Sequence, residues 1–532
     1  MTILFIYLPF LDILRGTGFK DVEVLGIALI ELVNFIILGA SILLTFFRID
    51  KKKFIKLFIY IGLVGIYIIF HYYHIINFDT NIFARASFDF IKESYYIIRV
   101  YVLPILALFI LIENKDIFNY KYYAKVLKVV IAFISFSIII LNLTKLSYSS
   151  YSATHDTIKY SIIDHFFNEN IDYKMILSRG WFDSANEISA ILFGLLPLNI
   201  LMFFKEKKIN NIILFLGQFA AMIILGTKTS ATGAVLVSYL AIALYIVLTI
   251  IRREKIELKQ VITFILSIAV LTLFYYNSPF YLSRTNEKQI QEQLKVTAKE
   301  ENILKEDEEY KEDSLIKEDE EHKEDKEHKE DEGHKEDEEH KEDEECKDEN
   351  TIKEEKKLEQ ANFIMSNLYS YRINIVFTEI YPVKEDIEFW TRLSKRELYL
   401  NNDSRQMKID ILTRIKERNN NNFDNLLGLG YTLNFMDVER DYVYQYLLFG
   451  SLGIILFLGI YFIVVGKNII KCILNLKKAF CFNIALSFMA PCLVFVIAYL
   501  SGHVFGWVSP MMYISFVLGF LNHRVEESVN ES

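Results

Sequence analysis

The residues able to do chemistry in this chain gather in a few short stretches, each beside an apolar run. Arg179-Gly180-Trp181-Phe182-Asp183-Ser184-Ala185-Asn186-Glu187 stands where one such run begins. Asn186 can cap the helix that follows, a helix amino terminus attracts anions, and Arg179 adds a fixed positive charge. That combination suits a phosphate-bearing lipid headgroup, although an ordinary interfacial anchor has the same composition. Gly226-Thr227-Lys228-Thr229-Ser230 reads as a short turn between two apolar runs. A lysine buried there needs a counter-charge, which an anionic ligand supplies; the plainer alternative is a lysine that snorkels to the interface. Glu439 and Asp441 precede a late apolar run that carries Gly450 and Gly453 one turn apart, a spacing that permits close helix contact. Glu439 can accept a proton from a sugar hydroxyl, or merely complement a helix dipole. Ser501-Gly502-His503 closes the set, with His503 either at the same pocket or simply on the surface.

The elements that must position these groups are membrane helices. Twelve apolar segments are legible, at 3–14, 24–47, 54–74, 95–112, 126–143, 185–204, 211–226, 230–251, 260–277, 442–466, 480–500 and 505–521. Most reach the roughly 17–25 residues that span a hydrocarbon core as helix, and helix is the choice that leaves no backbone group unpaired in lipid. Segment 3–14 is short and contains Pro9 and Asp12. It has no basic start and no small-residue cleavage site, so it does not read as a cleaved signal. With the amino terminus inside, the inner loops collect 20 Lys and Arg against 9 outside, leaving aside 278–441. This bias places both termini in the cytoplasm. The expected fold is all-α: a polytopic membrane protein of about 12 transmembrane helices with a large helical extracytoplasmic loop between helices 9 and 10. Residues 1–277 hold nine helices, 278–441 the loop, 442–522 three more helices and 523–532 a cytoplasmic tail.

Charge is concentrated in one tract. Residues 304–357 hold 28 Asp and Glu against 12 Lys, a net of −16, so the chain's overall −9 leaves +7 for the rest. The tract repeats every six residues around a KED core with too little apolar surface to fold by burial. His322, His328, His334 and His340 recur at that spacing. Successive histidines rotate by about 600° around a helix, so they do not line one face. An expanded repeat without chemistry is the plain reading, a metal comb the other. Residues 361–441 instead mix aromatic and apolar side chains with arginines, including Arg396, and suit short amphipathic helices at the membrane mouth. Cys346, Cys472, Cys481 and Cys492 do not make a disulfide scaffold; the last three, in or beside late apolar segments, read as small buried hydrophobes. There is no Walker A loop, GxGxxG, HExxH or GxSxG, and the long apolar runs exclude a soluble globular enzyme.

Together these clusters resemble the superfamily of O-antigen ligases and Wzy-type polysaccharide polymerases. The similarity covers about 1–280 and 385–522. It rests on Arg179, Gly180, Phe182 and Asn186 opening a membrane helix, on the turn Gly226-Thr227-Lys228-Thr229, on Ser394-Lys395-Arg396 ahead of Gly428, Gly430 and Tyr431, and on Glu439, Asp441, Gly450 and Gly453. The resemblance implies an inverting glycosyltransferase without metal or cofactor, in the bacterial cytoplasmic membrane. It would take a glycan from an undecaprenyl-diphosphate carrier on the outer leaflet and pass it to an acceptor hydroxyl. Arg179 and Lys228 would hold the diphosphate, with Asn186, Arg396 and His503 as further substrate contacts and Glu439 and Asp441 as the catalytic pair. The ligase branch often has histidine where Glu439 stands, which leans the reading toward polymerisation of repeat units. Other polysaccharide-assembly proteins of the membrane would be partners; nucleic acid would not. Transfer of a finished glycan, or lipid-linked oligosaccharide flipping, are the alternatives, though no two-fold internal repeat of the transporter kind is visible.

Overall fold

The computed structural model describes residues 1–17, 23–24, 27–46, 51–77, 90–152, 155–168, 171–286, 289, 292, 349–401, 403–430, 438–500 and 502–530. Most of the acidic repeat, with its four histidines, lies outside these residues, as do Tyr431 and Ser501. Apart from one hairpin of two-residue strands, Glu23–Val24 and Ile27–Ala28, and two isolated bridges, the described regular structure is helical.

Each of the twelve apolar segments holds helix. In order, the first eleven helices are α1 (Thr2–Gly16), α2 (Leu29–Phe46), α3 (Lys51–Ile76), α4 (Phe90–Ile97), α5 (Leu103–Glu113), α6 (Tyr120–Leu143), α7 (Ile162–Phe167), α8 (Ala185–Lys205), α9 (Ile209–Leu225), α10 (Lys228–Ile251) and α11 (Leu258–Tyr276). Among the described residues, eight helical stretches are long and apolar enough to cross a membrane. The chain is therefore a multi-pass membrane protein. α8 is the central post, wrapped by α6, α9, α10 and two late helices, and its apolar stretch is buried throughout. α1, despite Pro9, is well packed, with Leu4, Phe5, Leu8 and Leu11 fully buried. On the bundle's outside, residues such as Ile69, Leu236, Val270 and Ile463 are exposed, the lipid-facing apolar surface that a membrane requires. Cys472 and Cys481 are only half-buried and Cys492 is exposed, so the buried-hydrophobe reading of these cysteines does not hold.

The chain divides into two compact units, 1–283 with 408–532, and 284–407. The second has its own core: Trp390 and Tyr381 are fully buried beside Phe389, and the Tyr381 hydroxyl donates to Asp386 at 2.8 Å. Its described helices are α12 (Glu349–Ser366) and the short pieces α13 (Ile375–Ile380), α14 (Ile387–Ser394) and α15 (Leu398–Asn401); α16 (Ser404–Asn419) and α17 (Asp424–Leu427) follow in the chain.

The late part of the first unit departs from expectation. The segment expected as one helix at 442–466 is two, here α18 (Asp441–Phe457) and α19 (Gly459–Leu474), and α18 is itself broken at Gly450. Gly450 has φ 64° and ψ −173°, a conformation essentially restricted to glycine. The break frees the carbonyls of Leu447, Leu448 and Phe449 from helical partners. A turn from outside the helix meets them: the Leu429 N–H donates to Leu447 O at 2.8 Å and the Gly430 N–H to Leu448 O at 2.9 Å. Tyr67 of α3 donates its hydroxyl to Phe449 O at 2.8 Å. A broken membrane helix survives when other groups re-satisfy its backbone. The bundle closes with α20 (Phe482–Leu500) and α21 (Val508–Asn530).

Candidate active site

The start of α18 sits beside the turn that joins α20 to α21, and one side chain binds them. Asp441 is 2% exposed. Its Oδ1 accepts the His503 N–H at 3.0 Å, and its Oδ2 accepts those of Val504 at 2.7 Å and Phe505 at 2.8 Å. Three successive amides converging on one carboxylate form an anion nest, filled here by the chain's own residue. The turn curls this way because Gly502 and His503 both have positive φ, 67° and 62°. A Cβ on Gly502 would lie 2.8–2.9 Å from the Glu439 backbone, so the glycine is also needed for the close approach.

This clamp aims His503 at Glu439. The His503 Nε2 lies 3.9 Å from Glu439 Oε1, with both side chains partly open. Behind them is a cavity of about 100 Å³ whose lining includes Tyr96, Arg99, Asp441, Tyr444, His503 and Trp507. Arg99 stands on a five-residue π-turn, Ile98–Val102, that interrupts the path from α4 to α5, and Tyr96 stands on the last turn of α4. Such single-turn bulges are frequent at functional sites. Tyr101 on the same turn donates its hydroxyl to Gln445 of α18, tying the turn to the wall that carries Asp441. The Arg99 guanidinium is over the Tyr95 ring, 5.1 Å from its centroid.

Two histidines of α3 fix the turn that plugs the broken helix. The His71 Nδ1 lies 2.7 Å from Leu427 O, and its Nε2 lies 2.9 Å from Glu93 Oε1. A carbonyl only accepts, so Nδ1 carries a proton. The His74 Nε2 lies 2.8 Å from Asp424 Oδ1. Residues 424–430 are thereby held against α3 on one side and α18 on the other.

A second polar neighbourhood surrounds Arg179, which is 4% exposed. Its guanidinium is already engaged: Nε donates to Phe182 O at 3.0 Å, and NH1 to Ser149 O at 2.9 Å and Ser152 O at 2.8 Å. Burial draws its pKa below the ordinary arginine value, against the opposing pull of Asp183 and Asp12. Asp12 of α1 accepts the Asp183 N–H at 3.2 Å, and His155 Nε2 lies 3.0 Å from Asp183 Oδ1. Ser184, not Asn186, caps α8: its hydroxyl accepts the Glu187 N–H, and Asn186 is a half-buried first-turn residue. Asn at that place lies inside the helix, where its side chain cannot reach the N-cap amides. Lys228 is the first residue of α10 and is exposed, so the buried-lysine reading does not hold. The turn before it is only Gly226-Thr227, and the Thr227 hydroxyl bonds that of Ser189 on α8 at 2.6 Å and that of Ser230 on α10 at 2.7 Å. The Ser178 N–H donates to Ile224 O at 3.1 Å, which joins the Arg179 loop to the end of α9.

The structure thus brings Glu439, Asp441 and His503 together, and groups Arg179, Asn186 and Lys228 around the starts of α8 and α10. Both groups lie at one end of the bundle. α8 and α21 run side by side in the same sense, Ala190 and Gly194 facing a small cleft shared with Pro510 and Tyr513. Arg396 belongs to the other unit, where its Nε donates to Asn401 Oδ1 at 3.0 Å and braces the 394–401 turn. Sequence reasoning missed Arg99, Tyr96 and Gln445. A signal was available for Arg99: a lone cation inside an apolar run is a functional-site hypothesis by default.

A family model described as O-antigen ligase like membrane protein matches residues 1–528. Neither the comparison with curated proteins nor that with solved structures gave a match.

Proposed function

Because this chain belongs to the O-antigen ligase like membrane proteins, we propose that its Glu439–His503 pair carries out glycosyl transfer from a lipid diphosphate to an acceptor hydroxyl. The observation that carries the reading is the 3.9 Å approach of His503 Nε2 to Glu439 Oε1 at the mouth of the Arg99 cavity. The acceptor hydroxyl loses its proton to Glu439, with His503 beside it to share the charge. The oxygen then bonds the anomeric carbon as the bond from that carbon to the diphosphate oxygen breaks. The electron pair leaves with the diphosphate, so a cation must face it. Arg99 faces the same cavity, and Lys228, exposed at the same end of the bundle, is free to reach a headgroup in the lipid plane. Arg179 acts through its three carbonyl contacts, holding the 147–183 loop in shape. Asp441 acts as a positioning residue, because three amides already occupy its oxygens.

The polymerase reading, growth of undecaprenyl-diphosphate-linked repeat units into surface polysaccharide, takes support from a carboxylate at the position where the ligase branch often carries histidine. The ligase reading takes support from His503, an imidazole at the same mouth. Transfer would occur on the extracytoplasmic side of a bacterial cytoplasmic membrane, with both termini inside, without metal, in company with other assembly proteins. The test is a reconstituted assay with purified lipid-diphosphate glycan and no nucleotide or added metal. Chain growth by the wild type, and at least a hundredfold less with Glu439→Gln, is expected from the usual worth of a general base. Undiminished growth with Glu439→Gln removes that residue from the mechanism. In a deletion strain, single repeat units indicate a lost polymerase and long unattached chains a lost ligase.

A further inference from the structure

At the opposite end of the bundle, where α8, α10 and α21 finish and α20 begins, lies a larger cavity of about 690 Å³ that the transfer reaction does not use. We infer that this cavity binds the phosphate headgroup of an anionic phospholipid. Six cations line it, Lys205, Arg252, Lys255, Lys477, Lys478 and Arg524, against three carboxylates, Glu254, Glu257 and Glu527. The carboxylates are already satisfied. Glu254 meets Arg252 at 2.8 Å, Glu257 meets Lys207 at 2.6 Å, and Glu527 pairs with Arg524. Lys255 and Lys477 are exposed and, among the described residues, lie within ion-pair distance of no carboxylate. The concavity therefore carries an excess of three positive charges with two ammonium groups to spare.

The floor and the rim name an amphiphile rather than a soluble anion. Phe204, Tyr245 and Phe482 pack together at the floor, with ring centroids 4.5–5.2 Å apart. Ile251, Leu476 and Phe480, on elements that border the cavity, are 57%, 59% and 45% exposed. A bound headgroup would thus have its phosphate among lysines and its acyl chains running out over exposed apolar surface. Basic pockets between helices at the cytoplasmic face bind anionic headgroups by this arrangement. Topology supports the same leaflet: this end carries the Lys- and Arg-rich loops, so it faces the side with the anionic surface potential.

The test uses the purified full-length chain, delipidated and titrated with phosphatidylglycerol or phosphatidylcholine, with retained lipid counted by native mass spectrometry. The wild type is expected to retain phosphatidylglycerol preferentially. Lys255→Ala with Lys477→Ala is expected to weaken that retention about 25- to 30-fold, from roughly fivefold per lysine near a membrane surface. Lys208→Ala with Lys259→Ala, at the same end but outside the cavity, is expected to leave it unchanged, and matched melting temperatures show that both variants fold. Equal retention of the two lipids by the wild type would overturn the inference. So would an equal loss in the control variant, which would mean diffuse surface charge. Displacement of the lipid by millimolar glycerol phosphate or pyrophosphate would mean that the site takes a soluble phosphate, and would also overturn it. None of these outcomes depends on glycan transfer, so failure here leaves the transfer reading standing.

Discussion

Replacing Asp441 by Asn exchanges one carboxylate oxygen for an amide nitrogen and tests whether this residue positions or reacts. The best orientation keeps the carbonyl oxygen on the Val504 and Phe505 amides, at the 2.7 and 2.8 Å contacts. The new NH2 then faces the His503 N–H, donor against donor, where Oδ1 accepted at 3.0 Å. Leaving the part-buried His503 amide without an acceptor costs about 1 kcal/mol, the low end for an unsatisfied group, and the two remaining bonds lose charge assistance worth about another 1 kcal/mol each. A total near 3 kcal/mol corresponds to roughly a hundredfold rise in the opening of the 502–505 turn. Hydrogen–deuterium exchange of a peptide covering 502–507, in detergent or nanodiscs, reads that number directly. The expected result is exchange faster by about two orders of magnitude there, wild-type exchange in α8, and lost transfer activity. Wild-type protection at 502–507 would refute the clamp. If activity were lost while protection stayed intact, Asp441 would belong with the reacting groups instead.

Three further outcomes follow from the same structure. Gly450→Ala is expected to cut folded abundance sharply, by about 3 kcal/mol or more of stability, because the added Cβ would lie 2.3 Å from the Leu426 carbonyl carbon in a backbone conformation closed to alanine; melting of the purified protein checks it. Deleting 304–357 is expected to leave transfer activity intact, since no candidate site residue falls within it, and an inserted but inactive deletion would contradict that. In the 144–184 loop, the Ser161 backbone amide first, then Lys145, hold the Asp164 carboxyl below the usual aspartate range. A depressed folded pKa gives stability that is present above the unfolded value, about 3.9, and is lost as pH falls through the lower folded value. The excess protection of residues 161–168 in wild type over Asp164→Asn, measured by exchange corrected for intrinsic rate, should therefore vanish between pH 5 and the acid limit.

The helical segments were legible because a run of apolar residues long enough to span lipid has few other structures open to it. Their interruptions were not. Gly450 and Gly453 read as a close-contact pair, whereas Gly450 is the site of a break whose exposed carbonyls are met by Leu429 and Gly430, and no local pattern announces that pairing. Glu439, Asp441 and His503 were legible as polar residues at helix starts on one membrane face, yet the division of labour among them depends on three amides converging on Asp441. Arg99 carries a sequence signal as a lone cation inside an apolar run, but one charge barely changes that run's average hydropathy and is easily passed over. Asn186 reads as a cap from sequence, two residues past the Ser184 that caps α8, because helix starts are uncertain by a residue or two from sequence. The exposure of Lys228 follows from the brevity of the Gly226-Thr227 turn, which places the lysine on the first turn of α10 rather than in a loop folded inward.

The plug of residues 424–430 carries a consequence for biogenesis. Its anchors, Tyr67, His71 and His74, sit on the third helix to be made, while the backbone groups it protects belong to a span made some four hundred residues later. Until those early side chains are docked, the late span presents unshielded peptide groups to lipid. The last quarter of the polypeptide is thus obliged to assemble onto a template laid down by the first, and an amino-terminal truncation that removes α3 would forfeit the far end of the bundle as well.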